Sequence, residues 1–290
     1  MLQYPPWMKK TFSSDGTSEE VRALVRELRL NTVCQSAGCP NIGECYSQRQ
    51  LTFMILGGVC TRRCRFCAVE SGRTDSVASD EPWRVSEAVA RLRLRHVVIT
   101  SVSRDDLSDF GANQFIRVAQ AIREHNSGVT IELLVPDFLG REDLVGMVIE
   151  EAHPDVFGHN VETVERLSFM LRSKATYRRS LDVLRIAACK SDNQIVKSGI
   201  MVGLGEKEKE VVATFDDLKN AGVSHITIGQ YIRPGVEQVP VTEYVSPERF
   251  EYYEKLAYDR GFAWVKSGPF VRSSYHAADA LSYSRSSTSQ

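Results

Sequence analysis

From residue 51 onward the chain alternates short apolar runs with longer stretches of helical periodicity, and that rhythm leaves few folds open. The apolar runs fall at 51–56, 96–102, 130–135, 155–159, 195–202 and 225–231. Helical patterns lie between and after them, near 85–94, 112–124, 141–152, 177–188, 208–221 and 247–260. Val211, Phe215 and Leu218 show the helical spacing in one of these; Pro247 and Gly261 suit the first turn and the end of another. Six β–α units in series predict an α/β fold with a parallel sheet and helices outside. Six are too few for the closed eight-stranded barrel, so the expectation is a partial (β/α)6 barrel over residues 50–265, with its reaction centre at the C-terminal ends of the strands. Residues 1–49 read as an N-terminal extension with little strand, holding one amphipathic helix over 18–30 with Val21, Leu24, Val25 and Leu28 on its stripe. Residues 266–290 read as a C-terminal segment whose serine-rich end, 280–290, is expected to fray.

With 42% apolar residues in 290, the chain can bury a core without disulfides. Its net charge of -1 gives no basic field, so neither nucleic acid nor a membrane surface is an expected partner. No apolar run approaches the ~20 residues of a membrane span. The first ten residues carry two prolines and no apolar signal core, so the expected location is the reducing cytoplasm. Seven cysteines there point to metal or catalysis, and six of the seven fall between Cys34 and Cys67.

Cys60, Cys64 and Cys67 form C-x3-C-x2-C directly after the first apolar run. A [4Fe–4S] cube takes four thiolates; a triplet leaves one iron open to a ligand. A structural zinc loop is the alternative, but zinc motifs pair C-x2-C with a second such pair or with histidines, and neither follows. With Phe66 before the last cysteine, the motif resembles the signature of radical S-adenosylmethionine enzymes. That resemblance implies that the open iron binds S-adenosylmethionine and that one electron cleaves it to a 5′-deoxyadenosyl radical. Cys34, Cys39 and Cys45 form C-x4-C-x5-C upstream, punctuated by Gly38, Pro40 and Gly43, and read as an irregular loop wrapping a second centre, with packing or zinc as alternatives. Two cubes have eight iron positions; the triplets fill six and S-adenosylmethionine one. Cys189, in a helical pattern with Leu181, Leu184 and Ala188, reads as core. The other candidate for the last position is an oxygen from Arg272-Ser273-Ser274-Tyr275, although serines near a terminus by default cap or face water.

These motifs together resemble the lipoyl synthase family, in which C-x4-C-x5-C precedes C-x3-C-x2-C and the chain ends with R-S-S-Y. Further stretches are similar: Thr100-Ser101-Val102 with Arg104-Asp105-Asp106-Leu107, Val135-Pro136-Asp137-Phe138, His159-Asn160-Val161-Glu162-Thr163, the glycine-bearing stretch from Lys197 to Glu206, and Gly229-Gln230-Tyr231 before Arg233-Pro234-Gly235. The similarity runs from about residue 6 to 276. It implies a barrel of radical SAM type and two [4Fe–4S] clusters: a catalytic one on Cys60, Cys64 and Cys67, and an auxiliary one on Cys34, Cys39, Cys45 and Ser274 in preference to Ser273. The implied reaction removes hydrogen at C6 and C8 of an octanoyl chain and places sulfur from the auxiliary cluster at both. The implied partners are an octanoylated lipoyl carrier domain or glycine-cleavage H protein, an electron donor such as ferredoxin or flavodoxin, and an iron–sulfur carrier that repairs the cluster.

Thr100, Ser101, Asn160, Glu162 and Gly203 are the candidate contacts for S-adenosylmethionine, with Gly199 and Gly205 as glycines that allow close approach. Asn160 and Glu162 have capping of the next helix as their alternative. Arg62, Arg63 and Arg65, set among the thiolates, are candidates to attract an acidic electron donor or else to pair with local carboxylates. His96, His125 and His225 read as packing or surface residues. A radical enzyme acting on a free small molecule or on tRNA is a rival, but no basic surface for RNA is visible. A zinc-binding interaction protein is another, separable by the brown colour of iron–sulfur protein.

Overall fold

The structure, a computed structural model, describes residues 3–10, 16–190 and 194–281. The chain forms two compact units. The first comprises Thr11–Arg63 and Cys67–Phe157, the second Met1–Lys10, Cys64–Phe66 and Gly158–Gln290. The leading helix packs on helices of the first unit, and the strand that ends at Gly268 pairs within the second.

In the first unit the order is α1 (Gly16–Glu27), β1 (Asn31–Thr32), α2 (Val33–Ser36), α3 (Ile42–Ser47), β2 (Thr52–Ile55), β3 (Val59–Cys60), β4 (Glu70–Ser71), α4 (Glu81–Leu92), β5 (His96–Ser101), α5 (Ala112–His125), β6 (Thr130–Leu134) and α6 (Glu142–Ala152). β2, β5 and β6 run parallel, with Phe53 opposite Ile99 and Ile99 opposite Leu133; β1 lies antiparallel on β2. Near-continuous burial along these strands is what a parallel sheet covered on its faces requires. Val97, Ile99, Ile131 and Leu133 are buried, as are Phe115 and Ile122 of α5, and Phe115 meets Phe138 edge-on at 6.2 Å. α1 buries Val21, Leu24 and Val25 against α3 and α4, as its stripe predicts.

β7 (Val156–Gly158) closes the first unit and opens the second. There follow α7 (Glu165–Leu171), α8 (Tyr177–Lys190), β8 (Ile195–Val202), α9 (Glu208–Asn220), β9 (His225–Gln230), α10 (Pro247–Asp259) and β10 (Trp264–Gly268). β8, β9 and β10 are parallel neighbours, Ile200 opposite Ile228 and Ile228 opposite Ser267. Phe215 of α9, Phe250 and Tyr253 of α10, and Phe262 fill the space over them. Pro247 occupies the first turn of α10 behind a Ser246 hydroxyl that accepts the Arg249 amide. β10 is a strand that the apolar pattern does not reveal, since only Trp264 and Val265 of its residues are apolar and buried. Of the end expected to fray, residues 282–290 lie outside those described.

Candidate active site

The turn that launches the second cysteine triplet is gripped from both sides. The buried Glu81 carboxylate accepts the Leu56 amide at 3.0 and 3.2 Å and the Gln114 side-chain amide at 2.8 Å. Leu56 has φ 68°, a left-handed conformation that leucine keeps only where surroundings impose it. Arg104 donates to the Leu56 carbonyl at 3.3 Å and to the Asp75 carbonyl at 2.9 Å, and is itself held by Asp106 at 2.8 Å. The Arg104 bond, aided by Thr74 against the cost of partial burial, brings the Asp106 carboxyl down to about 2. Arg62 is buried and pairs with Asp105 and Asp137, each at 2.7 Å. It is a strut inside the first unit, not a beacon for a partner. Arg63 and Arg65 are exposed, and their side chains have no ion-pair partner among the described residues.

Each sulfur of this triplet accepts a main-chain N–H. Cys60 takes Arg62 at 3.4 Å and Ser103 at 3.3 Å, and Cys67 takes Val69 at 3.4 Å. In the second unit Cys64 takes Ser173 at 3.3 Å. Three soft sulfur ligands are thus held by the main chain, and sulfur is the donor an iron–sulfur cluster takes. Among the described residues no three His, Cys, Asp or Glu stand close enough to hold one metal ion. A cube spreads its thiolates over separate corner irons, wider than the ligands of a single tetrahedral zinc.

The first triplet is not the irregular loop that its glycines suggest. Cys34 lies on α2 and Cys45 on α3, with Cys39 in the turn between. The Thr32 hydroxyl accepts the Gln35 amide to start α2 and meets the buried Tyr46 hydroxyl at 2.9 Å, which ties the two short helices together. Main-chain bonds from Cys39 to Cys34 at 3.0 Å and from Gln50 to Cys45 at 2.7 Å fix the rest. Burial pushes the Cys34 thiol up to about 11; the Thr52 main chain pulls against it and nearby Cys39 adds to it.

At the strand ends the candidates divide. The Thr100 hydroxyl donates to the Leu134 carbonyl at 2.8 Å, a bond between strands. The Ser101 hydroxyl is buried with no hydrogen-bond partner among the described residues, a group left for a ligand. Asn160 and Glu162 do not cap α7, whose N-cap is Val164 with no side-chain bond. Glu162 instead has φ 68° and bridges to β8: its amide donates to Gly199 at 3.1 Å and its carbonyl accepts Met201 at 2.8 Å. Burial raises its carboxyl pKa against the pull of the Arg172 charge and the Asn160 side chain. A Cβ on Gly199 would stand 2.8 Å from Thr227 Oγ1 and 2.9 Å from Asn160 Oδ1, so glycine there lets Asn160 come in. Gly203 has its space taken by the chain: a Cβ would collide with Gln230 Nε2 and the Glu243 carbonyl. Its carbonyl accepts Thr242 and its amide donates to Glu206.

The family model described as the Radical SAM superfamily matches residues 54–229. A lipoyl synthase of Caldanaerobacter subterraneus subsp. tengcongensis is 50% identical over 284 residues, 98% of this chain and 99% of that one. A lipoyl synthase of Treponema denticola is 47% identical over 273 residues, 94% of this chain and 93% of that one. The chain belongs to the lipoyl synthase family. Among solved structures, methylornithine synthase (PylB) superposes with a TM-score of 0.55 at 13% identity, over 86% of this chain and 82% of that one. That likeness is one of fold, and the fold is the α/β partial barrel of radical SAM enzymes, as the alternating runs predict.

The R-S-S-Y stretch that resembles the lipoyl synthase family sits just after β10. Arg272 donates to the Gln230 carbonyl at 3.3 Å, and the Tyr275 amide closes a turn onto Arg272 at 3.0 Å, with half-buried Ser273 and Ser274 between. Cys189, expected in the core, is exposed: α8 buries Tyr177, Leu181, Leu184 and Ala187, and Cys189 falls off that stripe in the last turn. His225 is buried and stacks on Trp264 at 5.9 Å; His125 is exposed and bonds the Ala121 carbonyl. His96 lies at the sheet, 2.9 Å from Thr130 Oγ1. Glu81, Arg104 and the Ser103 and Ser173 amides are the site's unforeseen supports. The first two act on main-chain groups far away in sequence, and an amide leaves no trace in a side-chain pattern.

Proposed function

We propose that this chain works as a lipoyl synthase, placing two sulfur atoms at C6 and C8 of an octanoyl group held on a carrier protein. The observation that carries this reading is the presence of two separate cysteine triplets in a chain that matches lipoyl synthases almost from end to end. When bound, the cluster on Cys60, Cys64 and Cys67 with S-adenosylmethionine supplies a hydrogen-abstracting radical by one-electron cleavage, and the auxiliary cluster supplies sulfur. An alkyl C–H has no proton a side chain can take, so a general base would be idle here.

The remaining work falls to the chain's own groups. The four N–H···S bonds fix the sulfurs of Cys60, Cys64 and Cys67 in place. Ser101 offers an unspent hydroxyl, and Asn160 and Glu162 an amide and a carboxyl, to the polar parts of S-adenosylmethionine. Thr100 serves through the strand bond that sets Ser101, and Gly203 through the turn it allows. Cys34, Cys39 and Cys45 hold the auxiliary cluster, with Ser274 completing it as an oxygen ligand. A hard oxygen among soft thiolates is the ligand most easily exchanged. In this reading residues 1–49 carry the auxiliary motif, 50–265 the barrel and 266–290 the serine ligand. The partners are an octanoylated lipoyl domain or H protein, an acidic ferredoxin or flavodoxin attracted by Arg63 and Arg65, and an iron–sulfur carrier, all in the cytoplasm.

Anaerobic incubation with an octanoylated carrier peptide, S-adenosylmethionine and a reductant tests this. The expected product has two sulfurs in place of two hydrogens. Cleavage of S-adenosylmethionine without sulfur gain contradicts the reading.

A further inference from the structure

Behind the segment that carries Asn160 and Glu162 runs a buried polar chain that the proposed reaction leaves unassigned. Arg172, the residue after α7, is 9% exposed. Its Nη1 donates to the Val161 carbonyl at 3.3 Å and to the Ser180 hydroxyl of α8 at 2.8 Å. The same hydroxyl meets His159 Nε2 at 2.9 Å. The guanidinium charge also acts on Glu162. The main chain on either side of Arg172 faces the cysteine loop: the Leu171 carbonyl accepts the Arg65 amide at 2.8 Å, and the Ser173 amide donates to Cys64 Sγ at 3.3 Å.

A buried guanidinium is costly unless its donors and charge are met, and its planar fork tolerates little displacement. Whatever holds Arg172 in place therefore holds Leu171 and Ser173 as well. We propose that Arg172 is a positioning residue that locks the His159–Glu162 segment to the turn whose Ser173 amide bonds Cys64, so that one side chain sets both the contacts to S-adenosylmethionine and an N–H···S bond to the catalytic cluster. This rests on the assignment of Glu162 and Cys64 given under the proposed function. Two consequences follow from the chemistry. Loosening the lock weakens S-adenosylmethionine binding through Glu162. It also lowers the reduction potential of the cluster, because an N–H donor to sulfur favours the more negative, reduced state.

The test uses the full chain reconstituted with iron and sulfide, as parent, Arg172→Gln, Arg172→Lys, Ser180→Ala and Arg178→Gln. Arg178 pairs with Glu165 at the surface and serves as control. S-adenosylmethionine affinity is read by calorimetry, and the potential of the catalytic cluster by redox titration followed by electron paramagnetic resonance without S-adenosylmethionine. Arg172→Gln is expected to bind about 10-fold more weakly, the usual scale for an outer-shell loss, and to shift the potential downward. Arg172→Lys, which keeps the charge near Glu162 but not the fork, falls between; Arg178→Gln matches the parent. A folded Arg172→Gln with parental affinity and potential overturns the proposal while leaving the function intact. Should that variant not fold, Ser180→Ala decides: it is expected to show the same two shifts at smaller size, and parental values in it overturn the proposal. A parent that takes up no iron overturns the function and the proposal together.

Discussion

Single residues far from any cysteine hold the turn from which the second triplet starts. Glu81 meets three donor contacts from one buried carboxylate, and two are with the amide of Leu56, a residue in a conformation it would not choose alone. Glu81→Ala leaves that amide buried without an acceptor and reduces the Gln114 side-chain amide to its longer bond with the Ala78 carbonyl at 3.3 Å, which costs about 2 kcal/mol. Chemical denaturation of the reconstituted chain measures it, and iron content should fall with stability because the cysteine loop starts at this turn. A loss under 1 kcal/mol would mean that the turn holds itself. The two cysteine triplets were plain in the sequence because spacing marks them. Glu81, 25 residues from its partner, and Arg104, 48 residues from Leu56, were not, since no local pattern marks a side chain that bonds a distant main-chain group.

Among the elements, β8 is found at 195–202 as the apolar residues at both ends of that run predict, and α5, α6 and α10 lie within two residues of their periodic stretches. Burial on both faces writes such runs directly into sequence. β10 escaped because three of its five residues are polar or glycine, and α7 because it is only seven residues long. The helices under the first triplet escaped for a similar reason: four and six residues are too few to show a period. Their stability comes from Thr32, which caps α2 and bonds Tyr46. Thr32→Val keeps the shape and removes both bonds, and should cost about 1–2 kcal/mol in thermal or chemical unfolding. It should also release iron from the auxiliary site before the catalytic one. Equal loss from both would show that the short helices are not an independent seat.

For the molecule as a whole, acid stability is set in part by His225. Burial lowers its pKa to about 4, against the opposing bond to the Ala280 carbonyl and with the charge of Lys197 adding to the effect. An unfolded histidine titrates near 6.5. Between these values the unfolded chain binds the extra proton, so stability is full above pH 6.5 and falls as pH drops toward 4, by on the order of 3 kcal/mol across the window. His225→Gln should flatten the slope of unfolding free energy between pH 5 and 6.5; an unchanged slope would place the titration elsewhere. The larger claim is that one chain holds two clusters with separate duties, one to make the radical and one to be consumed. Iron content, S-adenosylmethionine cleavage and sulfur insertion in the combined Cys34→Ala, Cys39→Ala, Cys45→Ala variant test it most directly. The account predicts about four irons instead of about eight, cleavage retained, and no sulfur in the product. A variant that keeps the parental iron, or still inserts sulfur, would contradict it.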